Sequence, residues 1–278
     1  MPLPGREIRV SSWQELIEAL HSLPIVQLRG GEGNHLRSPY VFRGMDVASW
    51  ELQSSLQRLA KTQTTRSKIV EQSLLRSFRK YANAGTFDKQ SQWYILAVGQ
   101  HNGLPTRCLD WTTSPLVAAH FACGEEKHKD SNGVVWCVDA SILREVNMLS
   151  SPEVAGSLHG IAWVYDTRLL EKSFEDLDAL DAFAGDLMLL WEPPSLDMRI
   201  ASQSGLLSIM NSEIASPNTF LEKHSKTYPD LVLRVVIPAE TKSQIRDMLD
   251  QNNISERSLF PGLPGLCGWL KRYYGTSW

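Results

Sequence analysis

An excess of positive charge is missing from this sequence. Its 278 residues hold 28 Lys and Arg against 31 Asp and Glu, a formal charge of −3. That excludes a protein held to nucleic acid by bulk charge, though a local basic groove remains open. Long apolar runs are also missing. No stretch has the length of a membrane-crossing helix, and the opening Met-Pro-Leu-Pro-Gly-Arg-Glu lacks the apolar core of a secretory signal. A cytoplasmic protein without a membrane partner is expected. The four cysteines, Cys108, Cys123, Cys137 and Cys267, form no Cys-x-x-Cys pair, so buried free thiols are expected rather than a disulfide framework or a zinc finger. His120 and Cys123 lie one helical turn apart, but no second pair completes a set and no metal is expected. There is no Walker loop, no Gly-x-Gly-x-x-Gly turn and no Gly-x-Ser-x-Gly elbow, which disfavours nucleotide hydrolysis and serine esterase chemistry.

What is present reads as an α+β chain. The 42% hydrophobic and 21% charged residues suit a folded globule. Without internal repeats or low-complexity linkers, a single domain over 1–278 is expected, with a helical insert at about 51–98 and a helical tail at about 241–278. Ser12 to Glu15 fits a capping box, and Trp13, Leu16, Ile17 and Leu20 follow at helical spacing, so a helix is predicted over 13–22. Tyr40-Val41-Phe42-Arg43-Gly44 predicts a strand running into a turn, with Arg43 at its end. Residues 51–81 have a helical pattern; from Arg58 to Lys80 seven Lys or Arg accompany one acid, Glu71. Such a stretch is a solvated basic face or an electrostatic guide for a phosphate-bearing ligand. Further helices are predicted over 93–100, 115–122, 241–249 and about 265–272, with mixed helical periodicity over 166–190. Strands are predicted at 133–138, 231–237 and 199–210.

The segment Gln100-His101-Asn102-Gly103-Leu104-Pro105-Thr106-Arg107-Cys108-Leu109-Asp110-Trp111-Thr112-Thr113-Ser114 has more polar side chains than a connection needs. Each has a plain structural use: His101 at a helix C-terminus, Arg107 and Asp110 as an internal pair, Trp111 in the core. Converging beside a strand end, they also have the composition of a ligand cleft.

These motifs resemble the FRG domain: Phe42-Arg43-Gly44, then Gln100-His101-x-Gly103-Leu104-Pro105-Thr106-Arg107-x-Leu109-Asp110-Trp111-Thr112, then Arg199-Ile200-x-x-Gln203-x-Gly205-Leu206, with Ser258-Leu259-Phe260-Pro261 near the end. Met45, Asn102 and Cys108 depart from the usual pattern. A more distant resemblance, to the ADP-ribosyltransferase superfamily, implies split small sheets forming a cleft, surrounded by helices, with nicotinamide adenine dinucleotide (NAD) as substrate and a nucleic acid, a protein or water as acceptor. Arg43, Gly44, Thr106, Trp111, Thr112 and Ser114 would then bind the dinucleotide, and His101, Arg107, Asp110 and Gln203 would act in catalysis. Arg43 or Arg107 would meet the pyrophosphate, and Trp111 would stack on a ring. Gln203 lacks the negative charge of the superfamily's glutamate, so Asp110, Glu71 or Glu192 would supply it. The FRG family's occurrence in bacteria and phages implies a toxin or antiphage effector. Two other classes fit the same residues: a nucleic-acid-binding or nuclease-type effector using His101 and Arg58 to Lys80, and a non-catalytic sensor or interaction domain.

Overall fold

Ten strands and thirteen α-helices occur in a computed structural model that describes residues 6–27, 36–60, 64–82, 87, 90–124, 126–150, 164–194 and 198–275. In chain order they are β1 (Arg6–Arg9), α1 (Trp13–His21), β2 (Val26–Gln27), β3 (Leu36–Arg37), β4 (Tyr40–Met45), α2 (Ser55–Ala60), α3 (Thr64–Tyr81), α4 (Gln92–His101), β5 (Leu109–Thr112), α5 (Pro115–Ala122), β6 (Gly133–Asp139) and α6 (Ala140–Ser150). There follow β7 (Tyr165–Asp166), α7 (Thr167–Ser173), α8 (Leu177–Asp181), β8 (Met188–Glu192), α9 (Met198–Gln203), β9 (Gly205–Met210), α10 (Pro217–Ser225), β10 (Val232–Ile237), α11 (Lys242–Gln251), α12 (Glu256–Leu259) and α13 (Leu263–Tyr274). None of the described helices is long and apolar enough to cross a membrane.

Eight strands make one mixed sheet, ordered β1-β10-β6-β4-β5-β9-β8-β7, and β2 pairs with β3 separately. The outermost pairings, β1 with β10 and β7 with β8, are parallel; the others are antiparallel. The split small sheets implied by the distant resemblance therefore give way to one continuous sheet. Its weakest seam is β4 to β5, joined by the single pair Phe42↔Thr112, whereas β4 and β6 pair over six residues, Tyr40↔Asp139 to Met45↔Val134.

Strand side chains alternate between faces, and the faces are covered differently. One carries a continuous core through Val41, Trp136, Val236, Trp111, Leu206 and Leu190, under α6 and α10. The opposite face carries two cores. Phe42, Cys137 and Val235 pack with α1, α5 and α11, while Leu189, Trp191, Leu207 and Ile209 pack with α3, α4, α7 and α8. The gap between these two cores falls at the β4–β5 seam.

Helix α5 explains two glycines. It is capped by Ser114, starts on Pro115 and presents Ala118, Ala119 and Ala122 to the sheet. A Cβ on Gly44 would lie 1.8 Å from the Ala118 carbonyl oxygen, and one on Gly133 would lie 2.1 Å from that of Ala122. The helix backbone occupies the space that side chains would need.

Two segments differ from the sequence expectation. The strand predicted over 199–210 is helix α9 followed by β9, with Ser204 at φ 47° between them. Within 166–190, residues from Met188 onward belong to β8. The apolar run Leu187-Met188-Leu189-Leu190-Trp191 is buried on both faces, so it has neither period 2 nor period 3.6 to reveal its type. In α1, Ser12 accepts from the Glu15 amide, but the Glu15 carboxylate bonds the amide and hydroxyl of Ser11 rather than closing a box on Ser12.

Candidate functional site

Past the Phe42↔Thr112 pair the β4–β5 ladder stops and Arg43 bridges the gap. Its Nη1 donates to the Asp110 carbonyl at 2.6 Å and lies 3.9 Å from the Asp110 carboxylate. A side chain thus satisfies a strand carbonyl that no further ladder bond reaches. Burial lowers the pKa of Arg43; the charge of Asp110 opposes that shift and the charge of Arg58 adds to it. Arg43 Nε is buried without a hydrogen-bond partner, a costly state for a donor on a cation.

Asp110 is held from its other side. Gln100 Nε2 donates to its Oδ2 at 2.9 Å, and the Thr106 hydroxyl donates to Gln100 Oε1 at 2.5 Å. Thr106 in turn accepts from the Cys108 amide. This relay fixes the amide orientation of Gln100 and leaves the Asp110 carboxyl about two-thirds exposed (66%). Thr106 is buried and acts through Gln100. Gly103, at φ 82°, makes the turn that brings the chain from α4 back into the strand.

Two cavities meet at Arg43. The smaller, about 250 Å³, lies over the seam between α4 and α5; Arg43, Gln100, His101, Asp110, Thr112 and Gln203 supply its polar lining. The larger, about 740 Å³, continues past Asp46, Trp50, Gln53, Arg58, Glu256 and Phe260. They share Arg43, Gly44 and Phe121. The larger falls within the range of about 300–1,000 Å³ usual for small-molecule sites, and the smaller just below it.

Six of the ten residues singled out by sequence, Arg43, Gly44, His101, Asp110, Thr112 and Gln203, line the smaller cavity without qualification. His101 is the last residue of α4. The Thr112 hydroxyl donates to the Gln203 carbonyl at 2.7 Å, and Gln203 Nε2 donates to the Leu259 carbonyl at 3.0 Å, which ties the cavity to the C-terminal helices.

Trp111 borders the same cavity, but its indole is embedded in the continuous core and donates Nε1–H to Ser208 Oγ at 2.8 Å. It is committed to packing rather than to stacking on a ligand. Phe121 lines both cavities and Phe260 the larger one, the two rings in edge contact with centroids 6.1 Å apart. The sequence offered Phe121 only as the end of the run Ala118-Ala119-His120-Phe121 and gave it no role at the site.

The remaining residues serve elsewhere. Arg107 is buried, with Nε shared between the Glu71 carboxylate oxygens at 2.8 and 3.0 Å and Nη1 bonded to Asp181. Burial alone would lower its pKa, but the bonds and charges of Glu71 and Asp181 outweigh that and raise it. Neither Arg107 nor Glu71 borders either cavity, which removes one as a pyrophosphate ligand and the other as a substitute anion. Glu192 ends β8, remote in strand order from the seam. Ser114 serves as the N-cap of α5, accepting from the Val117 amide. The basic stretch is partly neutralised, since Lys68 bridges Asp178 and Asp181.

Cysteines 108, 123 and 137 are buried and Cys267 is exposed; all four are free. Burial pushes the Cys123 thiol up to about 12, far from a nucleophile's range. Among the described residues no group of three or more His, Cys, Asp and Glu could hold a metal ion.

Residues 38–131 match the family model of the FRG domain. That span contains Phe42-Arg43-Gly44 and the whole run from Gln100 to Ser114, while Gln203 and Phe260 lie beyond it. No curated protein and no solved structure matches the chain.

Proposed function

We propose that this cleft takes NAD as substrate and breaks the bond between nicotinamide and ribose, passing the ADP-ribosyl group to a nucleic acid, a protein or water. The bonding electrons leave with neutral nicotinamide, the acceptor's oxygen or nitrogen bonds the ribose carbon, and the acceptor's proton goes to a base. Positive charge develops on the ribose as the bond stretches, and a fixed anion beside it lowers the barrier. One observation carries the proposal: Asp110 is the only acid lining the smaller cavity among the described residues, and its carboxyl is oriented by Gln100 and flanked by Arg43.

In this scheme Asp110 supplies the charge that Gln203 cannot. His101, lining the same cavity, takes the acceptor's proton. Gln203 is a positioning residue, its amide engaged with Leu259. Consumption of the dinucleotide, or modification of a host acceptor, would make the protein a toxin or antiphage effector.

The test is to incubate purified protein with NAD and follow nicotinamide release, alone and with RNA or cell extract as acceptor. Asp110→Asn should retain NAD binding and lose roughly 10²-fold or more in rate. Neither binding nor release by the parent protein would overturn the proposal. Steeply salt-dependent binding or cleavage of RNA without nicotinamide release would point instead to nucleic-acid processing.

A further inference from the structure

The larger cavity has a charge pattern that the glycosidic chemistry does not use. Arg43 and Arg58 both line it, and Arg43 lines the smaller cavity as well. Arg58 projects from α2, exposed, with Nη1 donated to the Gln53 carbonyl at 2.6 Å, and Gln53 itself lines the cavity. No ion pair involving Arg58 occurs among the described residues, and Arg43 has only the long contact to Asp110. A guanidinium has five N–H donors. One bond engages Arg58, one engages Arg43, and the Nε of Arg43 is buried without a partner. The two cations are also close enough for the charge of Arg58 to depress the pKa of Arg43.

Two of the three acids around the cavity are already answered. Asp46 meets His128 Nδ1, and its backbone carbonyl accepts from buried Lys242 at 2.7 Å. Glu256 is gripped by Arg246 and Arg272; burial would raise its pKa, but those two guanidiniums hold it down at about 2. Glu51, exposed on the rim, is the remaining acid. The half-exposed indole of Trp50 and the ring of Phe260 supply flat apolar wall beside the two arginines.

We infer that the larger cavity is a subsite for the diphosphate of a nucleoside diphosphate moiety, with Arg43 and Arg58 as its two arms and Trp50 and Phe260 beside the base. An anion between two guanidiniums relieves their repulsion and gains charge-assisted bonds. The inference assigns Arg58 a binding role and deepens the proposed use of a dinucleotide, on which its place in a reaction rests; the anion site itself can be tested without turnover.

The experiment measures calorimetric binding of ADP, adenosine and inorganic pyrophosphate to the full chain and to Arg58→Ala and Glu51→Gln, with nicotinamide release followed in parallel. ADP and pyrophosphate should bind and adenosine should not, or only weakly. Arg58→Ala should weaken ADP at least about tenfold, and Glu51→Gln should tighten it about two- to threefold. For turnover, Arg58→Ala should raise KM for NAD while leaving kcat near the parent value, because Arg58 lines the larger cavity and not the one that holds Asp110. Equal ADP affinity in parent and Arg58→Ala, or no ADP binding by the parent at millimolar concentration, would sink the inference. ADP binding that depends on Arg58 without any nicotinamide release would keep the subsite and reject the glycosidic reaction.

Discussion

Arg43 and Arg107 belong to the same set of motifs, yet their surroundings assign them opposite tasks. Arg107 sits among Glu71 and Asp181, buried, with both carboxylates bonded to its guanidinium. Arg43 sits at an open seam of the sheet, bonded to a carbonyl and retaining a buried, unpartnered Nε. A saturated guanidinium holds α3, α8 and the strand approach together and has nothing left for a ligand. An unsaturated one that lines both cavities has spare donors. The difference shows that an arginine's availability to a ligand is read from its unfilled hydrogen bonds rather than from its place in a motif.

The largest effect should come from breaking the saturated centre. Arg107→Ala leaves the buried Glu71 carboxylate without its partner, while Asp181 keeps Lys68, and should cost about 3–5 kcal/mol, measured by denaturant unfolding. Adding Glu71→Ala to it should cost much less than the sum of the two single changes. An Arg107→Ala protein as stable as the parent would remove the contrast altogether.

Next comes Gly44→Ala, directly beside Arg43. The added methyl meets the α5 backbone, which cannot move as a flexible side chain would, so a loss of at least about 1–3 kcal/mol is expected in thermal or chemical unfolding. A neutral result would mean that α5 does not press on the strand as described.

A third buried site lies between these extremes. Burial, helped by the charges of Arg246 and Arg272, lowers the pKa of His120 from 6.5 to about 3, with Glu256 opposing. Between those values the unfolded chain binds a proton that the folded chain refuses. Stability should therefore fall as pH drops from 6.5 towards 3, by up to about 1.4 kcal/mol per pH unit from this group. His120→Gln should flatten that part of the stability curve relative to the parent, and an unchanged slope would count against the buried neutral imidazole.

Smaller still is the tether from Gln203 to Leu259. Gln203→Ala should lose about 0.5–1.5 kcal/mol and speed amide hydrogen exchange in α12 and α13. Faster exchange without change in α3 would confirm that the cleft is coupled to the tail rather than to the Arg107 centre. The smallest expected stability change belongs to Arg43→Ala, within about 1 kcal/mol because removing the guanidinium forfeits the Asp110 bond but also relieves a buried, unpaired Nε, while ADP binding by the same variant should be lost.

The α+β character and the approximate positions of α1, β4, α4, α5, β6, β10 and α11 were legible because each has its own period, cap or breaking residue. Ser114-Pro115 marks the start of α5, and Val134 to Val138 are branched and aromatic as strands prefer. Short α9 was not legible, being six residues without a full amphipathic repeat, nor was β8, uniformly buried. In the candidate site, Arg43, His101 and Asp110 stood out by residue type. Gln100 was quoted within its motif but given no role, since an amide's importance here comes from linking Thr106 to Asp110.

By itself the sequence determined which segments fold locally, which residue types carry charge and donors, and that the run from Gln100 to Ser114 is unusually polar. These follow from short-range sterics, periodicity and chemistry encoded in neighbouring residues. Only the tertiary structure decided that eight strands join one sheet, that its seam opens between Phe42 and Asp110, and that Arg107 turns inward while Arg43 does not. Those outcomes depend on partners far away in the chain, Glu71 and Asp181 for one arginine and a gap between two cores for the other, and the balance of burial against pairing exists only once they have met.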